Sequence, residues 1–322
     1  QFERVLRAAK QRLASDINKS VNDVCANQGT LVVSLATAAT GYDDVALCDT
    51  AMNEQGVTVE DRYLALSSGN YNSMAGNLAE RQTVSGIVSS AYQKALLGEV
   101  AGFETLKLDY GNTSAAALGV TVTVNGANQY FTPASTATAL GEQVNQDNRY
   151  QNLTIAVTSG TVAIGDSFTV AGVNSMHQIA KTDTGKLKTF RIVDIVSGAG
   201  GSGVVTISPP MISNGGATDI EEQYQNVTAT PASGAALVFL NTTAKLVNPF
   251  WKYDSIELTP GVIAPESAGI EKLTYTTEQG IQICLQKQQD INTSKAKYRL
   301  DVYYGVTNKN PEMNGILIFD QV

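Results

Sequence analysis

Histidine occurs once, at His177, and cysteine three times, at Cys25, Cys48 and Cys284. The single histidine rules out a two-histidine metal site and leaves a Ser–His–Asp triad no choice but His177. Its neighbours Gln178 and Lys181 supply neither a carboxylate to orient the ring nor a second ligand. A surface or partly packed histidine is expected. The cysteines are odd in number, far apart and without a CxxC pair, which fits reduced thiols in a cytosolic setting rather than a disulfide frame or zinc site. Charge is scarce as well: Asp, Glu, Lys and Arg make up 16% of the chain, with a net charge of −8. No long Lys/Arg block offsets that balance, so a phosphate backbone would be repelled overall, and nucleic-acid binding is not expected as a main function. No run reaches about 18 apolar residues, so no helix is expected to span a membrane.

What is present is polar but weakly charged: Thr, Ser, Asn, Gln, Ala and Gly abound, a mix suited to β-rich, loop-rich structure. The N-x-S/T triplets at Asn152 and Asn226 are the kind that arise by chance in such a chain. With 322 residues, two domains or one elaborated domain are expected. The first residues, "QFERVLRAAK", lack Met and already carry a helical pattern, as in a fragment of a longer polypeptide. Leu6, Ala9, Leu13, Ile17, Val21 and Val24 fall three or four apart, predicting one amphipathic helix over 2–28 that stops at Gly29. At 1.5 Å per residue it is about 40 Å long. A long helix with one narrow apolar stripe needs a long, flat partner, such as a sheet or another subunit.

Residues 42–110 mix helical segments ("DVALCDTAMNEQGV", "SGIVSSAYQKALLG" and a short "NYNSMAGNL") with strands ("RYLALSS", "FETLKLDY"). At 111–119 the composition changes. From there to about residue 240 six strand-like runs follow one another: "VTVTV", "QNLTIAVTS", "DSFTVAGV", "KTFRIVDIV", "GVVTISP" and "ALVFL". Six such runs with almost no helical periodicity argue for an antiparallel barrel or sandwich. Because α+β material lies on both sides, the segment reads as an inserted domain. Beyond it the chain is mixed again and closes with long strands around "GIQICLQKQQDINTSKAKYRLDVYYGV" and "NGILIF".

Gly198, Gly200 and Gly203 spell GxGxxG, the spacing of a dinucleotide-binding turn. That turn must open a helix whose N-terminal amides hold a pyrophosphate. Here "VVTISPP" follows, β-branched and ended by Pro209 and Pro210, so no helix can start. Asp219 or Glu221 could nominally serve as the downstream acid, but no βαβ unit surrounds them. A β-hairpin with a glycine tip is expected instead. The acidic pairs Asp43–Asp44 and Glu221–Glu222 read as solvated charge, since adjacent side chains usually diverge. Tyr303–Tyr304, in a strand, reads as core and interface. No catalytic, cofactor or metal residues assemble. Glu142, Asp147 and Arg149 place both charge signs within eight residues of a charge-poor region, which by itself describes a solvated turn.

One stretch is more specific. "NQDNRYQNLTIAVTSGTVAIGDSFTVAGVNSMHQIAK" (145–181) resembles the major coat protein of tailed phages of the Salmonella phage P-twenty-two type. In that family D-N-R-aromatic leads into a strand, then G-D-x-[IF]-[ST]-x-A-G-V, then Q-x-A-K. In the right order, the helix at 1–29 resembles the family's spine helix and "VNPFWKYDSIEL" its return from the inserted domain. "YYGVTNKNPEMNGILI" resembles its C-terminal strands. The likeness covers nearly the whole chain, tight at 145–181, while 134–146 and 198–203 look particular to this chain in length.

The resemblance implies an α+β capsid fold of the Hong Kong ninety-seven type with an inserted antiparallel β-barrel domain. It implies a spine helix of a peripheral domain at 1–29, an axial/peripheral α+β region at 30–110 and the inserted barrel at 111–240. An axial return at 241–295 and C-terminal strands of the peripheral/axial domain at 296–322 would follow. An N-terminal arm and extended loop would precede residue 1. It implies a non-enzymatic shell subunit, without cofactor, that forms pentamers and hexamers with scaffolding protein and portal protein. The icosahedral procapsid would assemble in the bacterial host cytoplasm and mature into the virion capsid around double-stranded DNA, without sequence-specific binding. The loop bearing Glu142, Asp147 and Arg149 would reach across a local two-fold axis to its copy. Other readings are a β-rich tail or adhesin-like binding module, which predicts fibres, and a self-cross-linking shell ligase joining Lys to Asn. No carboxylate-centred cross-linking site stands out for the latter.

Overall fold

The computed structural model describes residues 2–80, 94–117, 119–134, 147–263, 271–278 and 280–321. It divides into one unit of residues 1–21 and 256–307 and another of residues 22–255 and 308–322.

In the larger unit a six-stranded sheet has the order β1-β19-β13-β2-β4-β3. Its strands are β1 (Leu31–Ser34), β2 (Arg62–Leu66), β3 (Glu99–Val100), β4 (Phe103–Lys107), β13 (Asn248–Lys252) and β19 (Asn314–Ile318). β1 runs parallel to β19 and β2 parallel to β4; the other neighbours are antiparallel. All five residues of β19 are buried, as expected of a central strand covered on both faces. Val45, Cys48 and Met52 of helix α2 (Tyr42–Glu54) and Tyr71 and Met74 of α3 (Ser68–Glu80) pack into a core with Leu64, Leu66, Phe103, Phe250 and Leu317. Their spacing of three and four is the amphipathic signal of the sequence. The helix expected over 85–98 lies largely outside the described residues.

The six runs expected to be strands are β6 (Thr121–Val124), β7 (Gln151–Ser159), β8 (Ser167–Met176), β9 (Asp183–Ile195), β10 (Gly203–Ser208) and β11 (Ala236–Phe239). They close into an antiparallel barrel of order β10-β7-β6-β11-β8-β9. Each strand points two residues, i and i+2, into the core: Val122 and Val124, Leu153 and Ile155, Phe168 and Val170, Phe190 and Ile192, Val205 and Ile207, Leu237 and Phe239. The period of two puts these side chains on one face of each strand. Closure then leaves the barrel without an unpaired edge. Phe168 lies 5.7 Å from Phe190 and 6.2 Å from Phe239 between ring centroids. The chain enters through β5 (Thr113–Ser114) and leaves through β12 (Lys245–Leu246), which pair with each other. One short helix, α4 (Asp219–Tyr224), was not expected within this segment; Thr218 caps it, accepting from the Glu221 amide at 3.3 Å.

In the smaller unit, residues of α1 (Phe2–Gln28) accompany two groups of strands. β14 (Ile256–Pro260) pairs with β18 (Tyr304–Asn308), and β15 (Glu271–Thr276), β16 (Gln282–Asp290) and β17 (Lys295–Val302) form an antiparallel meander. Tyr304 Oη lies 2.8 Å from Ser20 Oγ and donates to the Asp16 carbonyl at 3.3 Å, tying β18 to the helix. Tyr303 is largely exposed.

The expectation of solvated acidic pairs is wrong for one member of each. Asp44 is buried because its carboxylate turns back over the start of α2, accepting from the amides of Thr40 at 2.6 Å and Gly41 at 3.1 Å. Glu221 is fully buried, accepting from the Gly216 amide at 2.7 Å and from the Thr132 hydroxyl. Asp43 and Glu222 are exposed as expected. Adjacent side chains do diverge, and here divergence sends one inward to unmatched backbone donors.

Candidate functional site

The charged loop is built on a clasp. The Asn148 side chain accepts from the Ala134 amide at 3.1 Å and donates back to the Ala134 carbonyl at 3.0 Å, so residues 134 and 148 are held together at the two ends of segment 135–146. Glu142 lies in that segment, outside the described residues. Asp147 and Arg149, just past the clasp, meet each other. Arg149 Nε donates to Asp147 Oδ1 at 2.8 Å and Nη2 to Oδ2 at 2.6 Å, while the Arg149 amide reaches Oδ1 at 3.0 Å. The third arm, Nη1, donates to the Asn308 carbonyl. The hydrogen bond from the Arg149 side chain is the main reason the Asp147 carboxyl sits below its ordinary pKa; partial burial opposes it. Arg149 also lies over the Tyr150 ring at 5.2 Å. This two-fold hydrogen-bonded pair fixes the guanidinium plane, at the border of an open groove of about 910 Å³ that includes Pro133, Pro210, Tyr224 and Pro311.

The other residues singled out by sequence do not join this site. His177 is half-buried, and its Nδ1 accepts from the amides of Ala180 at 3.1 Å and Ile179 at 3.3 Å, stabilising a turn. Gly198 and Gly200 adopt φ of 87° and 86° at the tip of the β9–β10 hairpin, a conformation that favours glycine. The Gly200 carbonyl accepts from the Val162 amide at 2.8 Å. The glycine spacing therefore serves a hairpin and no helix follows it. All three cysteines are free and buried; burial pushes the Cys25 thiol up to about 12 and raises Cys48 further, so neither is a thiolate at neutral pH. Among the described residues no group of three His, Cys, Asp or Glu side chains could hold a metal.

Three buried cations escaped the sequence reading: Arg62 of β2, Lys188 and Arg191. Lys188 of β9 donates to Glu312 Oε1 and Gln55 Oε1, each at 2.7 Å. Glu312 also accepts from Gln178 Nε2 at 2.7 Å. Burial works to raise the Glu312 pKa, but the Lys188 charge and the hydrogen bonds from Lys188, Gln178 and Asn226 outweigh it and hold the group below its ordinary value. Arg191, three residues further along β9, is fully buried. A lysine and an arginine inside "KLKTFRIVDIV" carry no local mark distinguishing them from the alternating polar residues of any strand.

Part of the chain is similar to a solved structure titled CUS-3 coat protein I-domain, at 35% identity over 39% of this chain and 99% of that one, with a TM-score of 0.29. The family model described as P22 coat protein, gene protein 5, matches residues 1–320. With nearly every residue inside that match, on a mixed α+β framework carrying a closed six-stranded barrel, the chain belongs to the P22 coat protein family and is a major capsid protein.

Proposed function

We propose that this coat protein adopts the Hong Kong ninety-seven capsid fold and assembles with scaffolding protein and a portal into an icosahedral procapsid. Assembly takes place in the bacterial host cytoplasm, and the shell later encloses double-stranded DNA without reading its sequence. The observation that carries this reading is the family match over residues 1–320. A net charge of −8 agrees with it, since a negative subunit does not adhere to packaged DNA. The role is structural, and broad interfaces take the place of a catalytic cleft. Residues 111–240 act as an inserted domain between the segments 30–110 and 241–295, with 1–29 as spine helix and 296–322 as terminal strands. A segment of about 130 residues is within the usual size of a domain with its own core. An excised piece of residues 112–240 is therefore expected to melt cooperatively; a poorly dispersed amide spectrum would refute that boundary.

The loop of Glu142, Asp147 and Arg149 is proposed to meet its copy across a local two-fold axis. At such an axis a patch must complement itself, and a loop with both charge signs can do so reciprocally. In the isolated chain Arg149 already holds Asp147, so the contact would work by presenting a fixed pair or by exchanging partners between copies. An exposed pair contributes only about 0–1 kcal/mol, too little to decide folding but repeated at every two-fold contact.

Electron microscopy of cells co-expressing the full-length coat and its scaffold tests both ideas. Wild-type protein should give closed shells, whereas Asp147→Lys or Arg149→Glu should melt nearly as wild type yet give aberrant particles, partly corrected in the double variant. Only monomers from the wild type under every scaffold and salt condition would sink the assembly reading. Normal shells from both single variants would show that the loop is merely solvated.

A further inference from the structure

Asparagine is followed by glycine three times in the chain, at Asn125, Asn214 and Asn314. This is the pair most prone to cyclise, because no side chain shields the amide nitrogen after the asparagine. The structure treats the three differently. Asn314 is fully buried in β19, its side chain donating to Asn308 Oδ1 at 2.7 Å and to the Asn310 carbonyl at 3.1 Å. Asn125 is exposed, but the Gly126 amide donates to Ser233 Oγ at 3.3 Å and the Asn125 carbonyl accepts from Gln129 Nε2 at 2.6 Å. Asn214 and Gly215 are both exposed. Neither the Asn214 side chain nor the Gly215 amide has a hydrogen-bond partner among the described residues.

The loop geometry itself asks for this pair. Asn214 adopts φ of 53°, in the left-handed region where asparagine is among the best tolerated residues after glycine. A Cβ at Gly215 would stand 2.5 Å from Tyr130 Cδ1 and 2.7 Å from Thr230 Oγ1, so a side chain there would displace the ring. One residue on, the Gly216 amide donates to Glu221 Oε2 at 2.7 Å, one of the contacts that keep this carboxylate inside.

We propose that Asn214 is a site of spontaneous deamidation, converting to aspartate and isoaspartate in the folded subunit and loosening the loop that holds Glu221. The Gly215 nitrogen gives its proton to hydroxide and attacks Asn214 Cγ. The N–Cγ bond forms, the Cγ–Nδ2 bond breaks, and Nδ2 takes a proton from water and leaves as ammonia. Water then opens the cyclic imide. Attack at Cγ gives aspartate and attack at the main-chain carbonyl gives isoaspartate, so one water is consumed for each ammonia released. Either product adds a negative charge to the loop. Isoaspartate also lengthens the main chain by a methylene beside Gly216, which draws that amide away from Glu221.

The test is peptide mapping of the folded full chain aged at mildly alkaline pH, with fragmentation that separates aspartate from isoaspartate. Asn214 should convert at least about fivefold faster than Asn125, the rate factor set by the hydrogen bond that Gly126 must give up. Asn314 should stay intact. In urea the three should react at similar rates, since glycine follows each. Once Asn214 has largely converted, the aged wild type should melt about 2 °C or more below the fresh protein. Aged Asn214→Gly, which keeps the left-handed turn and lacks the reacting side chain, should melt as it does when fresh. An intact Asn214 in the folded chain, or Asn125 converting as fast, would overturn the site. The same preference for Asn214 in urea would show that the fold does not select it. An equal loss of melting temperature in aged Asn214→Gly would overturn the effect on the Glu221 loop.

Discussion

Alanine at Gly315 is expected to cost the subunit about 3 kcal/mol, at the upper end of what overpacking a core usually does. Gly315 lies in β19, opposite Leu31 of β1 on one side and Phe250 of β13 on the other. A Cβ there would stand 2.1 Å from the Leu31 carbonyl oxygen, 2.6 Å from Leu31 Cβ and 2.7 Å from the Phe250 ring. The first contact is with backbone in the centre of the sheet, and β19 is paired on both edges, so neither strand can move without breaking a ladder. The same close approach brings Gly29, just past the end of α1, within 3.0 Å of Gly315 Cα when a Cβ is placed on it. Urea unfolding of the monomer should show a much lower midpoint for Gly315→Ala. Gly305→Ala, where a Cβ meets nothing within 4 Å, is the control and should melt near wild type. Matching midpoints for the two variants would show that the sheet yields where its geometry says it cannot.

Removing Lys188 should be comparably damaging. Its ammonium is buried between Glu312 and Gln55, and Gln55 in turn donates to Ser175 Oγ at 2.6 Å. Lys188→Met leaves the Glu312 carboxylate, 23% exposed, without its cation, and losing one partner of such a half-buried pair costs about 3 kcal/mol, the low end of what a fully buried pair loses. Replacing both partners by Met should recover much of the loss, because the charged pair itself stabilises little relative to apolar packing. Acid should act through Glu312 in the same sense. Its folded pKa lies below its unfolded one, so its contribution is complete above the ordinary glutamate range and disappears as pH falls through the depressed folded value. Wild-type stability should therefore drop more steeply on acidification than that of Glu312→Gln. Equal slopes, or a Lys188→Met protein as stable as wild type, would mean that the network is solvated rather than buried.

The sequence by itself determined the elements whose signal is periodic. The stripe from Leu6 to Val24 marks α1, Gly29 marks its end, and the paired apolar positions of six short runs mark the strands of the barrel. Pro209 and Pro210 were enough to turn a nucleotide-like glycine motif into a hairpin. These readings succeed because helix and strand repeats are set by the chain's own geometry, one residue to the next. Only the tertiary structure decided that the six strands close, with β11 between β6 and β8 and β10 returning to β7; barrel and sandwich share one alternating pattern. It alone decided which charges go inside. Glu221 meets Thr132 from 89 residues away and Lys188 meets Glu312 from 124, while the Arg191 guanidinium ends beside the last turn of a helix at the start of the chain. Whether a charge can be buried depends on donors and acceptors that folding brings to it, and nothing in the neighbouring residues records who they will be.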